Sequence, residues 1–203
     1  MTSIDTSALS KGEQTSRAIL AAAIERFGRD GYRSTTVADI ARDAGVSGTL
    51  AYAYYPNKEA LFLAAIDDDA AGLIQRGLEH LLTDTTRRGW IKNLVYFVAG
   101  AVEEHPLARR LLAGLEPDVI VRVLEIPALA ELRRVCAERI RDEQQVGTIR
   151  PDVDPVTMGN GVITIMLSLL MSLVQLRLDS TLSYAADVVA VFNAALDPVT
   201  PPA

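Results

Sequence analysis

Between Thr36 and Pro56 the chain carries two short helical signatures back to back, and this pairing restricts the fold more than any other feature. Thr36 is followed three residues later by Asp39, the capping-box spacing in which a hydroxyl accepts an amide at the helix start and a carboxylate reaches back. Val37, Ile40, Ala41 and Ala44 then recur at i, i+3, i+4 and i+7, one face of a helix. Gly45 can adopt the left-handed conformation of a helix stop. Only Val46 separates it from Ser47, a good N-cap for a second helix running to about Tyr55. Two helices joined so tightly must cross steeply, and Pro56 ends the second.

The flanks supply support. Thr15 or Ser16 is expected to cap an earlier helix whose stripe is Ile19, Leu20, Ala23, Ile24 and Phe27, with Gly28 and Gly31 bracketing its end. Asn57 caps a fourth helix carrying Leu61, Phe62, Ala65, Ile66, Leu73 and Leu78, long enough to connect two domains. Beyond it, breaks recur at Thr83 to Arg88, His105-Pro106, Glu116-Pro117, Ile126-Pro127, Gly147 to Asp154 and Leu178 to Thr181. The segments between are helix-sized, and none alternates with the period of two that a half-buried strand requires. The last two, about Pro155 to Leu178 and Thr181 to Leu196, are apolar nearly all round, which points to a subunit interface.

Composition narrows the function classes. A hydrophobic share of 49% is ample for a core and excludes wholesale disorder. The apolar run Val162 to Leu176 is shorter than the roughly 20 residues that span a bilayer, so a buried helix and no membrane partner are expected. The first residues, MTSIDTSALSKGEQ, lack the basic start and apolar run of a signal peptide. A lone cysteine, Cys136, excludes a disulfide within the chain and a Cys-based zinc site, and fits a reducing cytoplasm. The net charge of −6 is unevenly placed: residues 1 to 66 hold seven basic and seven acidic side chains, the rest thirteen and nineteen. This asymmetry favours an N-terminal nucleic-acid face.

Two capped helices, a Gly-containing turn and a supporting first helix are the parts of a DNA-binding helix-turn-helix, whose second helix enters the major groove. An ordinary three-helix bundle satisfies the same pattern. The residues themselves, TTVADIARDAGVSGTLAYAYYPNKEALF from Thr35 to Phe62, resemble the signature of the tetracycline-repressor (TetR) family. Ala22, Phe27, Gly31 and Tyr32 likewise match its preceding A-x(4)-F-x(3)-GY element. The resemblance spans about residues 13 to 66.

It implies an all-α homodimer with an N-terminal three-helix DNA-binding domain and a C-terminal helical domain for effector binding and dimerisation, most members being repressors released by an effector. The expected division is a tail at 1–12, the DNA-binding domain at 13–66 with its motif at about 35–54, the helical domain at 67–197 and a tail at 198–203. Carried over by position, Thr35 and Thr36 open the motif, with Thr36 offering a hydroxyl or amide to a phosphate. Ser47, Gly48, Thr49 and Leu50 open the recognition helix. Tyr52 and Tyr54 have phenolic hydroxyls for phosphates, and Lys58 places a charge on the DNA backbone. Many members read GVSKGTLYHYF where this chain reads GVSGTLAYAYY, so Gly48 and Thr49 replace the usual Lys and Gly, and Ala51 replaces a large apolar residue. Because no Arg, Lys, Asn or Gln lies between Ser47 and Tyr55, readout is expected to lean on Thr49, on apolar contact with thymine methyls and on DNA shape.

In the C-terminal half, Trp90, Tyr96, Phe97, His105 and Met166, with Met158 and Met171, are candidates for an apolar effector cavity. Ile163, Leu167, Leu170, Val174, Val188 and Phe192 are candidates for the dimer interface. No metal site or cofactor is expected: His80 and His105 lack companions at ligand spacing, and no GxSxG, Walker or Rossmann glycine pattern occurs. The acidic run Asp67 to Asp69 and the pair Asp152 and Asp154 read as a solvated helix face and a capped loop. A helical adaptor that binds protein rather than DNA is the competing reading.

Overall fold

The computed structural model describes residues 10–86, 89–176 and 181–198. Among these every regular element is helical, and the chain divides into two compact units between Asp68 and Asp69. The tail residues 1–9 and 199–203, and most of the break expected at Leu178 to Thr181, lie outside the described residues.

The first unit begins with α1 (Lys11–Ser34). Its start lies earlier than the sequence suggests. Ser10, not Thr15 or Ser16, is the N-cap and forms a full capping box with Glu13, so Lys11 and Gly12 belong to the helix rather than the tail. Inside α1 the Thr15 hydroxyl donates to the Lys11 carbonyl (2.8 Å), and the backbone breaks at Gly31, φ 80°. Ile19, Ala23 and Phe27 are fully buried, and Phe27, Tyr32 and Phe62 form an aromatic cluster with centroids 4.7 to 6.2 Å apart. α2 (Val37–Asp43) and α3 (Gly48–Tyr54) follow, and α4 (Lys58–Thr83) has its first turns in this unit. The amide of Ala60 donates to the Asn57 side chain (2.8 Å), capping α4.

The second unit contains the rest of α4, then α5 (Trp90–Ala101), a 3-10 turn (Val102–Glu104), α6 (Pro106–Leu112), a second 3-10 turn (Pro117–Val119), α7 (Ile120–Val123), α8 (Pro127–Gln145), α9 (Pro155–Leu176) and α10 (Thr181–Leu196). The expected breaks within the described residues coincide with these joints. α8 and α9 are the most extensively packed pair. A Cβ at Gly159 would lie 2.9 Å from the Ala137 backbone nitrogen, a separation only a glycine permits. α9 spans nearly the segment expected, and at 22 residues it is long and apolar enough to cross a membrane by length and composition alone. Its Val162, Ile163, Met166, Leu170 and Leu173 instead bury themselves in the core of this unit.

Polar side chains tie the joints. Gln144 donates to the carbonyls of Arg150 and Val153 (both 2.9 Å), fixing the loop before α9, and the Arg150 amide donates to the Leu196 carbonyl (2.9 Å), fixing the end of α10. Arg139 donates to the carbonyls of Leu81, Asp84 and Thr86 while its guanidinium lies over Trp90. Cys136 is fully buried, and burial pushes its thiol up to about 12.

Candidate nucleic-acid interface and apolar cavity

In α2 the Asp39 amide donates to the Thr36 hydroxyl (3.1 Å), as capping requires. The Asp39 carboxylate accepts from that same hydroxyl (2.7 Å) and from Arg42 (2.6 Å), and these bonds hold its carboxyl below the ordinary value. Arg26 of α1 clamps Asp43 at the other end of α2 through two bonds of 2.6 and 3.1 Å; the Asp43 carboxyl is lowered chiefly by them. Gly45, at φ 69°, turns the chain toward Ser47, whose hydroxyl accepts from the Leu50 amide (3.2 Å). Thus α3 is capped at its start and oriented by its one fully buried side chain, Ala51. The small residue where a larger one was noted lets α3 lie close on the core.

The opposite face of α3 is bare. Thr49 and Ala53 are exposed, Leu50 is 40% exposed and Tyr52 52%. A Cβ at Gly48 would meet nothing within 4 Å, so nothing in this unit demands a glycine there. The Tyr55 hydroxyl lies 3.2 Å from the Ser16 hydroxyl, anchoring the end of α3 to α1. Lys58 is half-buried, its ammonium 4.4 Å from the Tyr32 ring centre and 3.5 Å from the Arg33 carbonyl.

The second unit holds a cavity of about 290 Å³ between α4, α5, α6, α7, α8 and α9. Leu73, Leu111, Leu132 and Leu170 form part of its wall, and every described side chain lining it is apolar. At its edge Asp69 is 6% exposed and joins α4 to α6. One carboxylate oxygen accepts from the amides of Leu107 and Ala108 (2.9 and 2.8 Å), and the other lies 2.9 Å from His105 Nδ1. The His105 ring packs beside Gly72, where a Cβ would lie 3.0 Å from it.

These features agree with what the chain is similar to. Residues 19–65 match the model of the bacterial regulatory proteins, tetR family. An HTH-type transcriptional repressor of Streptomyces coelicolor, SCO4008, is 30% identical over 142 residues, 68% of each chain. The chain belongs to the tetR family. Nucleoid occlusion factor SlmA of Pasteurella multocida is 31% identical over 108 residues, and the match spans 51% of this chain and about half, 54%, of that relative. The crystal structure of a TetR transcriptional regulator from Chloroflexus aurantiacus shares the fold with a TM-score of 0.71 at 23% identity, over 93% of this chain and 99% of that one.

Against this tetR framework the sequence-derived sites divide. Thr36, Ser47, Thr49, Leu50 and Tyr52 lie on exposed surface at the start of α2 and along α3, Gly48 is half-buried and open to solvent on its Cα, and Tyr54 and Lys58 are half-buried beside them. Thr35 does not join them: it is 1% exposed and its hydroxyl donates to the Gly31 carbonyl (2.9 Å), because it closes the end of α1. Of the cavity candidates, Met166 and Met171 line the wall. Trp90 is buried under Arg139, Phe97 stacks on His80 at 4.3 Å, Tyr96 and Met158 pack against the core, and His105 is bound to Asp69. Of the dimer candidates, Ile163 and Leu170 are buried and Leu167 is partly buried, all three lining the cavity. Phe192 is buried core, and Val174 is partly buried against it. Val188 alone borders a shallow surface groove, with Ile165, Leu169, Ser172, Leu173 and Tyr184.

Leucines of the wall were missed because periodicity assigns Leu111, Leu129 and Leu132 to a buried face without saying whether atoms or empty space lie opposite. A usable signal was Val121 and Leu124, apolar residues in a short, Pro-bounded segment, both lining the cavity.

Proposed function

We propose that the chain is a homodimeric repressor that reads operator DNA with α3 and leaves it when an apolar small molecule fills the cavity. The observation that carries this reading is the division of labour within α3: Ala51 is buried, while Thr49, Leu50, Tyr52 and Ala53 face solvent. A capped helix standing on its core by one small residue is suited to insertion in the major groove, its first turn nearest the base edges. Thr49 and Leu50 offer a hydroxyl and methyl groups to bases and thymine methyls. Tyr52 and the N-terminal amides of α2 and α3 serve the phosphates, which fix register rather than sequence. Arg17 and Arg33, both exposed, add charge beside them.

Dimerisation supplies the second recognition helix. The groove of α9 and α10 is flanked by Ile165, Leu176, Tyr184 and Val191, each 41 to 64% exposed, and a second copy of the chain is its occupant in this reading. Two recognition helices are then set for half-sites about 34 Å apart. Release follows as a population shift, which requires that the ligand bind the DNA-free arrangement better than the bound one. In this reading the shift involves α4, whose Ala70, Leu73, Ile74 and Gly77 line the cavity.

The test is fluorescence anisotropy on a selected duplex across a salt series. Repressor-like binding loses at least about 10³-fold between 50 and 200 mM salt if six or more phosphates are contacted. An affinity indifferent to salt contradicts DNA binding and favours a protein-binding adaptor.

A further inference from the structure

The wall of the cavity says what chemistry it accepts. No described lining side chain carries a hydrogen-bond donor, the sole acceptors are the weak thioethers of Met166 and Met171, and none is aromatic. A heteroatom carried inside would lose its water without replacement, and a flat ring would find no stacking partner. The nearest buried carboxylate, Asp69, already serves two amides and His105. Val121 and Leu124 line the cavity yet are 61% and 49% exposed, which places its mouth at α7. A dry cavity of roughly 150 Å³ holds benzene; one of about 290 Å³ therefore holds about twelve heavy atoms.

We infer that this cavity takes a linear aliphatic chain of about ten to twelve carbons, inserted tail-first past Val121 and Leu124 with any polar end left in water at α7. The inference rests on the effector reading for its regulatory meaning, while the binding itself is tested without DNA. Calorimetry of the full chain with 1-alkanols from hexanol to hexadecanol is the first arm. Affinity rises about fourfold per methylene, reaches an optimum at decanol to dodecanol and then falls, with a negative heat-capacity change. Ala108→Leu, which adds carbons inside the cavity, moves the optimum shorter; Leu167→Ala, which removes them from a half-buried wall position, moves it longer.

Circular dichroism melts confirm that both variants fold, and either shift alone suffices. Absence of saturable binding, an affinity still rising at hexadecanol, or an optimum that neither variant moves overturns the inference. Decane, 1-decanol and decanoate form the second arm: affinities within threefold of one another support a head group held in water, and tight binding of one head group only overturns that placement. The third arm adds decanol to the protein on its selected duplex. Binding without release retains the ligand class and refutes its role as inducer, whereas failure to select any duplex refutes the DNA reading and leaves the calorimetry standing.

Discussion

In the first unit each helix start is tied by a residue beside it: Ser10, Thr36, Ser47 and Asn57 each accept the amide three positions on, inside the helix they open. In the second, α9 has such a tie, the Thr157 amide donating to Asp154 (2.8 Å), but α5, α6 and α8 begin at Gly89, His105 and Ile126 with no side-chain cap from those residues, and α6 is capped by Asp69 reaching across from α4. The first unit closes on a filled aromatic core of Phe27, Tyr32 and Phe62; the second closes around empty space. Local ties set the helix starts of the first unit from residues beside them. Tertiary ties around a cavity make a unit whose packing a ligand can complete.

The sharpest probe of that contrast is one substitution made twice. Leu61→Ala, at a fully buried position of the first unit, is expected to cost about 3–5 kcal/mol because its neighbours surround it. Leu132→Ala, in the cavity wall, is expected to cost about 2 kcal/mol, since a side chain facing a void already lacks contacts on one side. Denaturant unfolding of the two variants compares them, and equal costs would erase the distinction between filled and hollow cores.

Asp69→Ala tests the tertiary cap. It orphans two buried amides and removes the partner of His105, and a loss of about 2–3 kcal/mol is expected. Ser47→Ala removes a local cap exposed to water and should cost about 1 kcal/mol. If Ser47→Ala proves the more damaging, the second unit does not depend on its long-range tie. The smallest effect expected is from acid. Asp39 and Asp43 have carboxyls lowered by their hydrogen bonds to Thr36 and Arg42 and to Arg26, so their contribution is present above the unfolded value near 3.9 and is lost as pH falls below it. Thermal melts between pH 6 and 3 should show a modest fall beginning near pH 4, reduced but not abolished by Asp43→Asn combined with Arg26→Gln, which leaves the bonds of Asp39 to Thr36 and Arg42 in place. These are exposed pairs, so the fall stays small.

The same contrast explains how much was legible in the sequence. Thr36, Gly45, Ser47, Pro56 and Asn57 act on backbone groups within four residues, so their types and spacing are enough to place α2, α3 and the start of α4. Even there the reading slipped where two candidates competed locally, Ser10 against Thr15 and Ser16, and where Thr35 turned inward to bond Gly31. In the second unit the joints at Pro106, Pro127 and Pro155 could be read, because proline opens a helix without needing its own amide. Which apolar faces meet could not. Ile163, Leu167 and Leu170, candidates for the dimer interface by their spacing, wall the cavity instead. Hydrophobic spacing reports that a face is covered, and contains no term for what covers it. The aromatic and histidine candidates lie elsewhere for a related reason: Trp90 packs under Arg139, Phe97 stacks on His80 and His105 meets Asp69, leaving this cavity to aliphatic side chains and two methionines.

The most direct test of the account is selection of bound duplexes from random DNA by the full chain and by Thr49→Ala. The account predicts an inverted repeat whose half-site centres lie about 10 base pairs apart, with Thr49→Ala altering preference at one symmetric position in each half-site. No enriched sequence, or an enriched sequence that Thr49→Ala leaves unchanged at every position, would contradict the assignment of α3 as the reading surface.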